Sequence, residues 1–244
     1  IIKYKNFEDE YMKKTTVGII CAGDDELAPF LPMITDCNIS EKAMLKFYSG
    51  KIDETTVTAL FSGVCKVNAA VAAQILIDTY KCNIIINSGT AGAVSHNIKV
   101  LDTVVSTETA YHDVNKDILT DFHPWLSSVW IKSDAFLTEL AKISAKKLSS
   151  DFNIVFGKTV TGEHFINGEK KQSIAKIFNP LSVDMESAAV AHVCYVNKIP
   201  FISVRTITDV ADSCAEELFE QNCLNASCKS ADFVRLMLNE LHKK

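Results

Sequence analysis

Residues 183–212 read V-D-M-E-S-A-A-V-A-H-V-C-Y-V-N-K-I-P-F-I-S-V-R-T-I-T-D-V-A-D, and their order decides the fold. Glu186 follows a short apolar run and opens an Ala-rich stretch that the composition predicts to be helical. Phe201 to Ile207 is apolar and β-branched, which predicts a buried strand, and Asp209 stands just past its end. One carboxylate at a helix start and another at a strand end suggest a sugar-handling site, because ligands of open α/β sheets collect beyond the carboxyl ends of strands. Taken singly, each acid has a plainer reading: Glu186 complements its helix dipole and Asp209 caps the next helix.

Working outward, strand-like runs are predicted at 16–22, 44–49, 57–62, 83–87, 103–107, 154–160 and 201–207. Helical patterns fall at 66–80, 133–148, 168–177, 186–197 and from about 214 to 241. This alternation, with central strands apolar throughout, predicts a three-layer α/β/α sandwich around a mainly parallel sheet. The runs 44–49 and 57–62, separated by a polar G-K-I-D-E-T segment, predict an antiparallel hairpin, which makes the sheet mixed. No repeat or Pro/Gly/Ser-rich linker divides the chain, so residues 15–244 are read as one domain. The least regular region is 112–128, and a loop of that length is more often functional than idle.

The chain of 244 residues is 48% apolar and 23% charged, ordinary for a globular protein, and no segment has the length of a membrane span. A net charge of −5 with scattered lysines argues against nucleic acid as a partner. Of the eight cysteines, Cys21, Cys65, Cys82 and Cys194 fall in apolar segments where a thiol acts as a small hydrophobe, while Cys214, Cys223 and Cys228 are expected at the surface. With no C-x-x-C pair and no metal-ligand spacing among the six histidines, neither disulfides nor a zinc site is expected, and the reading is a reduced, cytoplasmic protein. Met12-Lys13-Lys14-Thr15 precedes the first apolar strand, so residues 1–14 are read as an N-terminal extension without signal-peptide character, in which Met12 is expected to be the natural start and residues 1–11 dispensable.

Three strand-end segments carry candidate chemistry. The first, Cys21-Ala22-Gly23-Asp24-Asp25-Glu26, leads into a short helix broken by Pro29 and Pro32. It resembles a phosphate-binding turn in position but lacks any Lys or Arg; it would repel an anion, whereas one of its carboxylates can activate water. The second, Asn87 to Ala93, is rich in small residues and is read as a turn that lets backbone approach a ligand. In the third, Gly162 to Gly168, Phe165 either tucks into the core or offers a flat platform to a planar ring. His192, inside an Ala/Val-rich helix, is read as a hydrogen-bonded core histidine, and His112 as a loop-orienting or site-lining residue.

Seven blocks in this order resemble the nucleoside phosphorylase/nucleosidase family, specifically the 5′-methylthioadenosine/S-adenosylhomocysteine nucleosidases: V-G-I-I-C-A-G-D-D-E, S-G-V-C-K-V-N-A-A, I-I-N-S-G-T-A-G, Y-H-D, G-E-H-F-I-N-G, V-D-M-E-S-A-A-V-A-H-V-C and V-R-T-I-T-D-V-A-D. The resemblance runs from Val17 through nearly the whole chain. It implies that Glu26 is the general base for the attacking water and Asp209 the general acid at adenine N7, with Thr208 orienting that acid. It implies that Glu186 holds the ribose hydroxyls, Met185 packs beneath the sugar, and Phe165 and Ile166 receive adenine by stacking and backbone hydrogen bonds. Thr90 and Arg205 match polar residues around the water, Phe219 a lid aromatic, and Val64 belongs to the substrate-contacting set.

The chemistry agrees with this resemblance. N-glycosidic cleavage passes through an oxocarbenium-like state that needs an acid on the leaving base, a base on water and hydrogen bonds to the ribose. Asp209 must carry a proton when it acts, a state that burial would favour. Asp24, Asp25 and Glu26 stand where phosphorylases of the family offer glycine and arginine, so hydrolysis is expected over phosphorolysis. The alternatives are a 6-amino-6-deoxyfutalosine hydrolase, a purine nucleoside phosphorylase and, more remotely, a non-catalytic nucleoside-binding protein. The chain departs from the family at Gly23, where a bulkier residue often lines the pocket. After Tyr111-His112-Asp113 it lacks the aromatic pattern by which a neighbouring subunit closes the 5′ end, for which Leu119, Phe122 or Trp125 are the substitutes. The implied protein is a homodimer, its contact helix 66–80 being apolar around much of its circumference, with a nucleoside substrate and neither metal nor organic cofactor.

Overall fold

The computed structural model describes residues 15–122, 126–149, 152–166, 168–210, 215–241 and 243. The expectations placed on residues 1–14, Pro124, Trp125 and Cys214 lie outside them.

The strands are β1 (Thr16–Cys21), β2 (Thr35–Lys42), β3 (Leu45–Ile52), β4 (Thr55–Phe61), β5 (Ile84–Ala93), β6 (Thr103–Tyr111), β7 (Ile131–Lys132), β8 (Ile154–Thr161), β9 (Ser182–Asp184) and β10 (Phe201–Asp209). The helices are α1 (Asp24–Leu27), α2 (Lys66–Asp78), α3 (Lys116–Asp121), α4 (Ala135–Ala145), α5 (Gly168–Phe178), α6 (Ser187–Asn197) and α7 (Ala215–Leu241). Neighbouring strands run in the order β10-β6-β8-β9-β5-β1-β4-β3-β2. Because β5 also pairs with β10, the strands β5, β10, β6, β8 and β9 close into a ring, while β1, β4, β3 and β2 continue as an open sheet. Register shifts at Ser106/Glu108 in β6 and Ile207/Asp209 in β10 supply bends of the kind that closure requires.

Three layers follow from the two-residue period of the strands. Val17, Ile19 and Cys21 of β1, Ile84 and Ile86 of β5 and Ile202 and Val204 of β10 bury one face against Leu137 and Leu140 of α4 and Phe233, Val234, Met237 and Leu238 of α7. Ile20, Ile85 and Phe201 point the other way, onto Ala69, Ala72, Ala73 and Leu76 of α2 and Ala189, Val190 and Cys194 of α6. The alanines on α2 and α6 keep their helices close to each other and to the sheet. The predicted α/β sandwich with a mixed sheet is the observed architecture.

Several local expectations are corrected. The hairpin between β3 and β4 is present, but both strands run further than predicted and turn on Asp53-Glu54, with Asp53 at φ 49°. The stretch Asn87 to Ala93 is not a turn: β5 continues through it, paired with β10 from Ile85↔Phe201 to Gly92↔Asp209. Its small side chains serve close packing instead, since Ser230 of α7 bonds to Ser88 and to the Gly89 amide. Residues 112–128 contain the helix α3, and Leu119 is buried in the core rather than offered to another subunit. Cys223 is buried and Cys65 partly exposed, the reverse of the composition-based reading; Cys21, Cys82 and Cys194 are buried and Cys228 exposed, as expected.

Candidate active site

The carboxyl ends of β1, β4, β5, β8, β9 and β10 meet at a cleft of about 410 Å³. Ten of the residues singled out in the sequence line it: Glu26, Val64, Thr90, Phe165, Ile166, Met185, Glu186, Thr208, Asp209 and Phe219. Arg205, the eleventh, is fully buried beneath the wall. Widely separated segments converge because β1, β4, β5 and β10 run parallel and bring their carboxyl ends to one side, while β8 and β9, antiparallel to β5 across the ring, deliver their own ends to the same place.

Glu26 reaches the cleft from α1, which is four residues long because Pro29 follows its C-cap Ala28 and a 3₁₀ turn, Leu31–Met33, replaces a further helical turn. Its carboxylate is almost fully buried and heavily bonded. Oε2 accepts from the Ala22 amide at 2.6 Å, and Oε1 accepts from both the amide and the hydroxyl of Thr90 at 2.7 Å. Gly89 makes this possible: a Cβ there would sit 2.3 Å from Glu26 Oε2.

Glu186 is the N-cap of α6. Its Oε1 accepts from the Cys65 amide at 2.9 Å and its Oε2 from Arg205 Nη2 at 3.2 Å. Cys65 presents that amide from a backbone at φ 84°, ψ 163°, a conformation that ordinarily belongs to glycine. Burial, opposed by Arg205 and reinforced by the charges of Asp184 and Glu26, pushes the Glu186 carboxyl up to about 7.

Asp209 is the last residue of β10, just beyond the register shift, rather than the first residue after the strand. It is buried, and Thr208 Oγ1 donates to its Oδ2 at 2.9 Å. The Thr208 carbonyl is in turn held by Asn222 of α7. Phe165 is 38% exposed and meets Phe219 of α7 edge-on, ring centroids 6.0 Å apart, so its ring is open to the cleft and does not plug the core. Ile166 packs into a cluster with Val160, Ile174 and Val183 that anchors the loop.

Arg205 organises the floor. Nη1 lies 3.5 Å from Glu26 Oε1, Nη2 3.2 Å from Glu186 Oε2 and Nε 3.3 Å from Asp184 Oδ2. Burial opposes its charge, but the three carboxylates outweigh burial and hold its pKa above the ordinary value. Asp184 is not among the sequence candidates although it stands in the same V-D-M-E block; an acid at the end of a short apolar strand, two residues before the candidate Glu186, is the available signal. Gly23, Asp24, Asp25, His164 and Cys223 also line the cleft. The two histidines weighed in the sequence do not: His192 lies 3.3 Å through Nδ1 from the Tyr111 hydroxyl, and His112 packs on Gly162, where a Cβ would meet its Nε2 at 2.2 Å. Burial lowers the His112 pKa.

Chemically the cleft presents six carboxylates, those of Asp24, Asp25, Glu26, Asp184, Glu186 and Asp209, and no Lys or Arg among its described lining residues. Such a wall favours a developing cation and opposes an anion. Among the described residues, no group of three or more His, Cys, Asp or Glu side chains has an arrangement suited to a metal ion, and no helix is long and apolar enough to cross a membrane.

The phosphorylase superfamily model matches residues 16–239. A 5′-methylthioadenosine/S-adenosylhomocysteine nucleosidase of Haemophilus ducreyi is 37% identical over 231 residues, 93% of this chain and 98% of that protein. The crystal structure of such a nucleosidase from Colwellia psychrerythraea, in complex with adenine, superposes with a TM-score of 0.87 at 33% identity, covering 93% of this chain and 96% of that one. Futalosine hydrolase of Helicobacter pylori is similar at 25% identity, with a TM-score of 0.85 over 93% of this chain and 98% of its own.

Proposed function

The chain belongs to the phosphorylase superfamily, and from that premise we propose that it hydrolyses the N-glycosidic bond of 5′-thio-substituted adenosines, methylthioadenosine and S-adenosylhomocysteine, to adenine and a free thioribose. The observation that carries this reading is the convergence of Glu26, Glu186 and Asp209 from three strand ends on one cleft that also holds an exposed aromatic face. Adenine stacks on Phe165 under Phe219, with the Ile166 backbone at its edge. Asp209, oriented by Thr208, protonates N7 so that the purine leaves neutral. Glu186 accepts from the ribose 2′- and 3′-hydroxyls above Met185, and Val64 borders the sugar. Glu26, steadied by Thr90 and Arg205, takes a proton from the water that attacks C1′.

The charge of the cleft favours water over phosphate as nucleophile. A unit-charge pair 4 Å apart is worth about 4 kcal/mol near a protein surface, and a phosphate here would face several carboxylates without a basic partner on the wall. The same carboxylates stabilise the oxocarbenium character of the sugar. The purine and ribose contacts do not involve the 5′ group, so 6-amino-6-deoxyfutalosine is the competing substrate to assay. Adenine should appear from methylthioadenosine and S-adenosylhomocysteine in phosphate-free buffer, at higher kcat/KM than from aminodeoxyfutalosine. Release that required phosphate, or that occurred only with aminodeoxyfutalosine, would refute the assignment.

The protein is further proposed to act as a cytoplasmic homodimer of one nucleosidase domain spanning residues 15–244. Val67 and Val71, one turn apart on α2, are 72% and 43% exposed, and Val64 and Phe61, just before them in the chain, are exposed as well. Free thiols at Cys21, Cys82 and Cys194 suit a reducing compartment. Sedimentation should give a dimer at micromolar concentration, and Val67→Glu combined with Val71→Glu should yield monomers; a wild-type monomer would exclude the proposed interface.

A further inference from the structure

We propose that Asp184 is the positioning residue of this site, the anchor that holds Glu186 and, through Arg205, Glu26 in their working positions; the proposal rests on the nucleosidase reading above. Its side chain is 1% exposed and ends β9, one residue before Met185. One oxygen, Oδ1, accepts from Thr161 Oγ1 at 2.5 Å, from the Ser187 amide at 3.1 Å and from the Glu186 amide at 3.3 Å. The other, Oδ2, accepts from the Ser187 hydroxyl and forms the ion pair with Arg205 Nε.

Two consequences follow from this geometry. By binding the amides of Glu186 and Ser187, Asp184 fixes the first turn of α6 and hence the point from which the Glu186 side chain departs. By placing its charge 3.3 Å from Nε, outside hydrogen-bonding geometry, it attracts and helps hold a planar guanidinium whose other two nitrogens face Glu186 and Glu26. A displacement of Arg205 would therefore be felt at both carboxylates. The anchor is itself supported from below: Ser187 Oγ also bonds to Ser203 Oγ and accepts from Asn87 Nδ2, and Thr161 Oγ1 accepts from the Ala188 amide, so the network ties β5, β8, β10 and α6 to one carboxylate.

Every hydrogen bond to the two oxygens is donated to them, so Asp184→Asn turns one amide NH2 toward a buried donor and removes the charge opposite Nε. The expected loss is roughly 30- to 100-fold in kcat/KM for methylthioadenosine, an effect of the size that buried charged hydrogen bonds carry. Affinity for adenine alone should be unchanged, while affinity for the 7-deaza analogue of methylthioadenosine, which carries the ribose but offers no N7 to protonate, should fall. The acid limb of the kcat/KM profile should also move to lower pH. Asp184 is one of the negative charges that raise the Glu186 carboxyl, and without it Glu186 stays ionised further into the acid range. The limb reports the charge of Asp184, and the split between adenine and ribose-analogue affinity reports its positioning; a purely structural aspartate would produce no such split.

Wild-type kcat/KM with an unmoved acid limb in Asp184→Asn would overturn the proposal. Should that variant fail to fold, Thr161→Val keeps the charge and removes one hydrogen bond to Asp184, together with the one that Thr161 accepts from the Ala188 amide. It is expected to lose roughly 3- to 10-fold in kcat/KM with adenine affinity intact, and wild-type kcat/KM in it would overturn the proposal equally. Failure of the nucleosidase reading is separately visible as absence of adenine release by the wild-type enzyme. The two binding measurements still test Asp184 in that case, equal ribose-analogue affinity in wild type and variant counting against it.

Discussion

Asp209→Asn is expected to lower kcat for methylthioadenosine by about 10³-fold or more, the upper part of the range for a lost general acid. The substitution is nearly isosteric at a buried strand end, and the Thr208 hydroxyl still has an oxygen to donate to. What disappears is the proton that lets adenine leave as a neutral ring. KM should change little, because stacking on Phe165 and the ribose contacts of Glu186 remain. Circular dichroism and adenine binding should match the wild type. Turnover within a few-fold of the wild type would mean that N7 is protonated from elsewhere and that Asp209 only binds.

Glu26→Gln should produce a loss of comparable size, about 10²- to 10⁴-fold in kcat, through the other half of the reaction. The Ala22 amide, the Thr90 amide and the Thr90 hydroxyl all donate to this carboxylate, and Arg205 lies 3.5 Å away. An amide in its place cannot accept the proton of water, and its NH2 must face one of those donors. Binding of a cationic ribose mimic should survive in Glu26→Gln, since Glu186 and Asp209 are untouched. Loss of that binding together with kcat would show that Glu26 holds the sugar and not the water.

The legible parts of this molecule are those in which a side chain's chemistry and its place in the fold are set by the same short stretch. β10 is nine residues of buried, largely β-branched sequence with its acid at the end, and both the strand and Asp209 could be read directly. The Ala-rich α2 and α6 were equally plain. β2 was not, because an exposed edge strand of T-D-C-N-I-S-E-K composition carries no apolar alternation, and its hairpin turns on Ala43 and Met44 at positive φ without the Asn-Gly signature. The extension of β5 through Ser88, Gly89 and Thr90 was hidden for another reason. Small residues there mark a place where Glu26 and α7 come close, a tertiary demand that resembles a turn when only local sequence is seen. The resemblance puts Arg205 near the water, yet its position beneath the wall, shared among three carboxylates, exists only once β1, β9 and β10 are gathered around β5. Asp184 carries a local signal, an acid ending a short apolar strand, but its tie to Arg205 and Thr161 is visible only in the assembled sheet.

The central claim is that water, and not phosphate, receives the sugar. The measurement is mass analysis of the sugar formed from methylthioadenosine in ¹⁸O-labelled water containing excess inorganic phosphate. The account predicts one ¹⁸O at C1 of free methylthioribose and no phosphorylated sugar. A methylthioribose 1-phosphate lacking the label would contradict it and reassign the acidic turn at Glu26 to a task other than activating water.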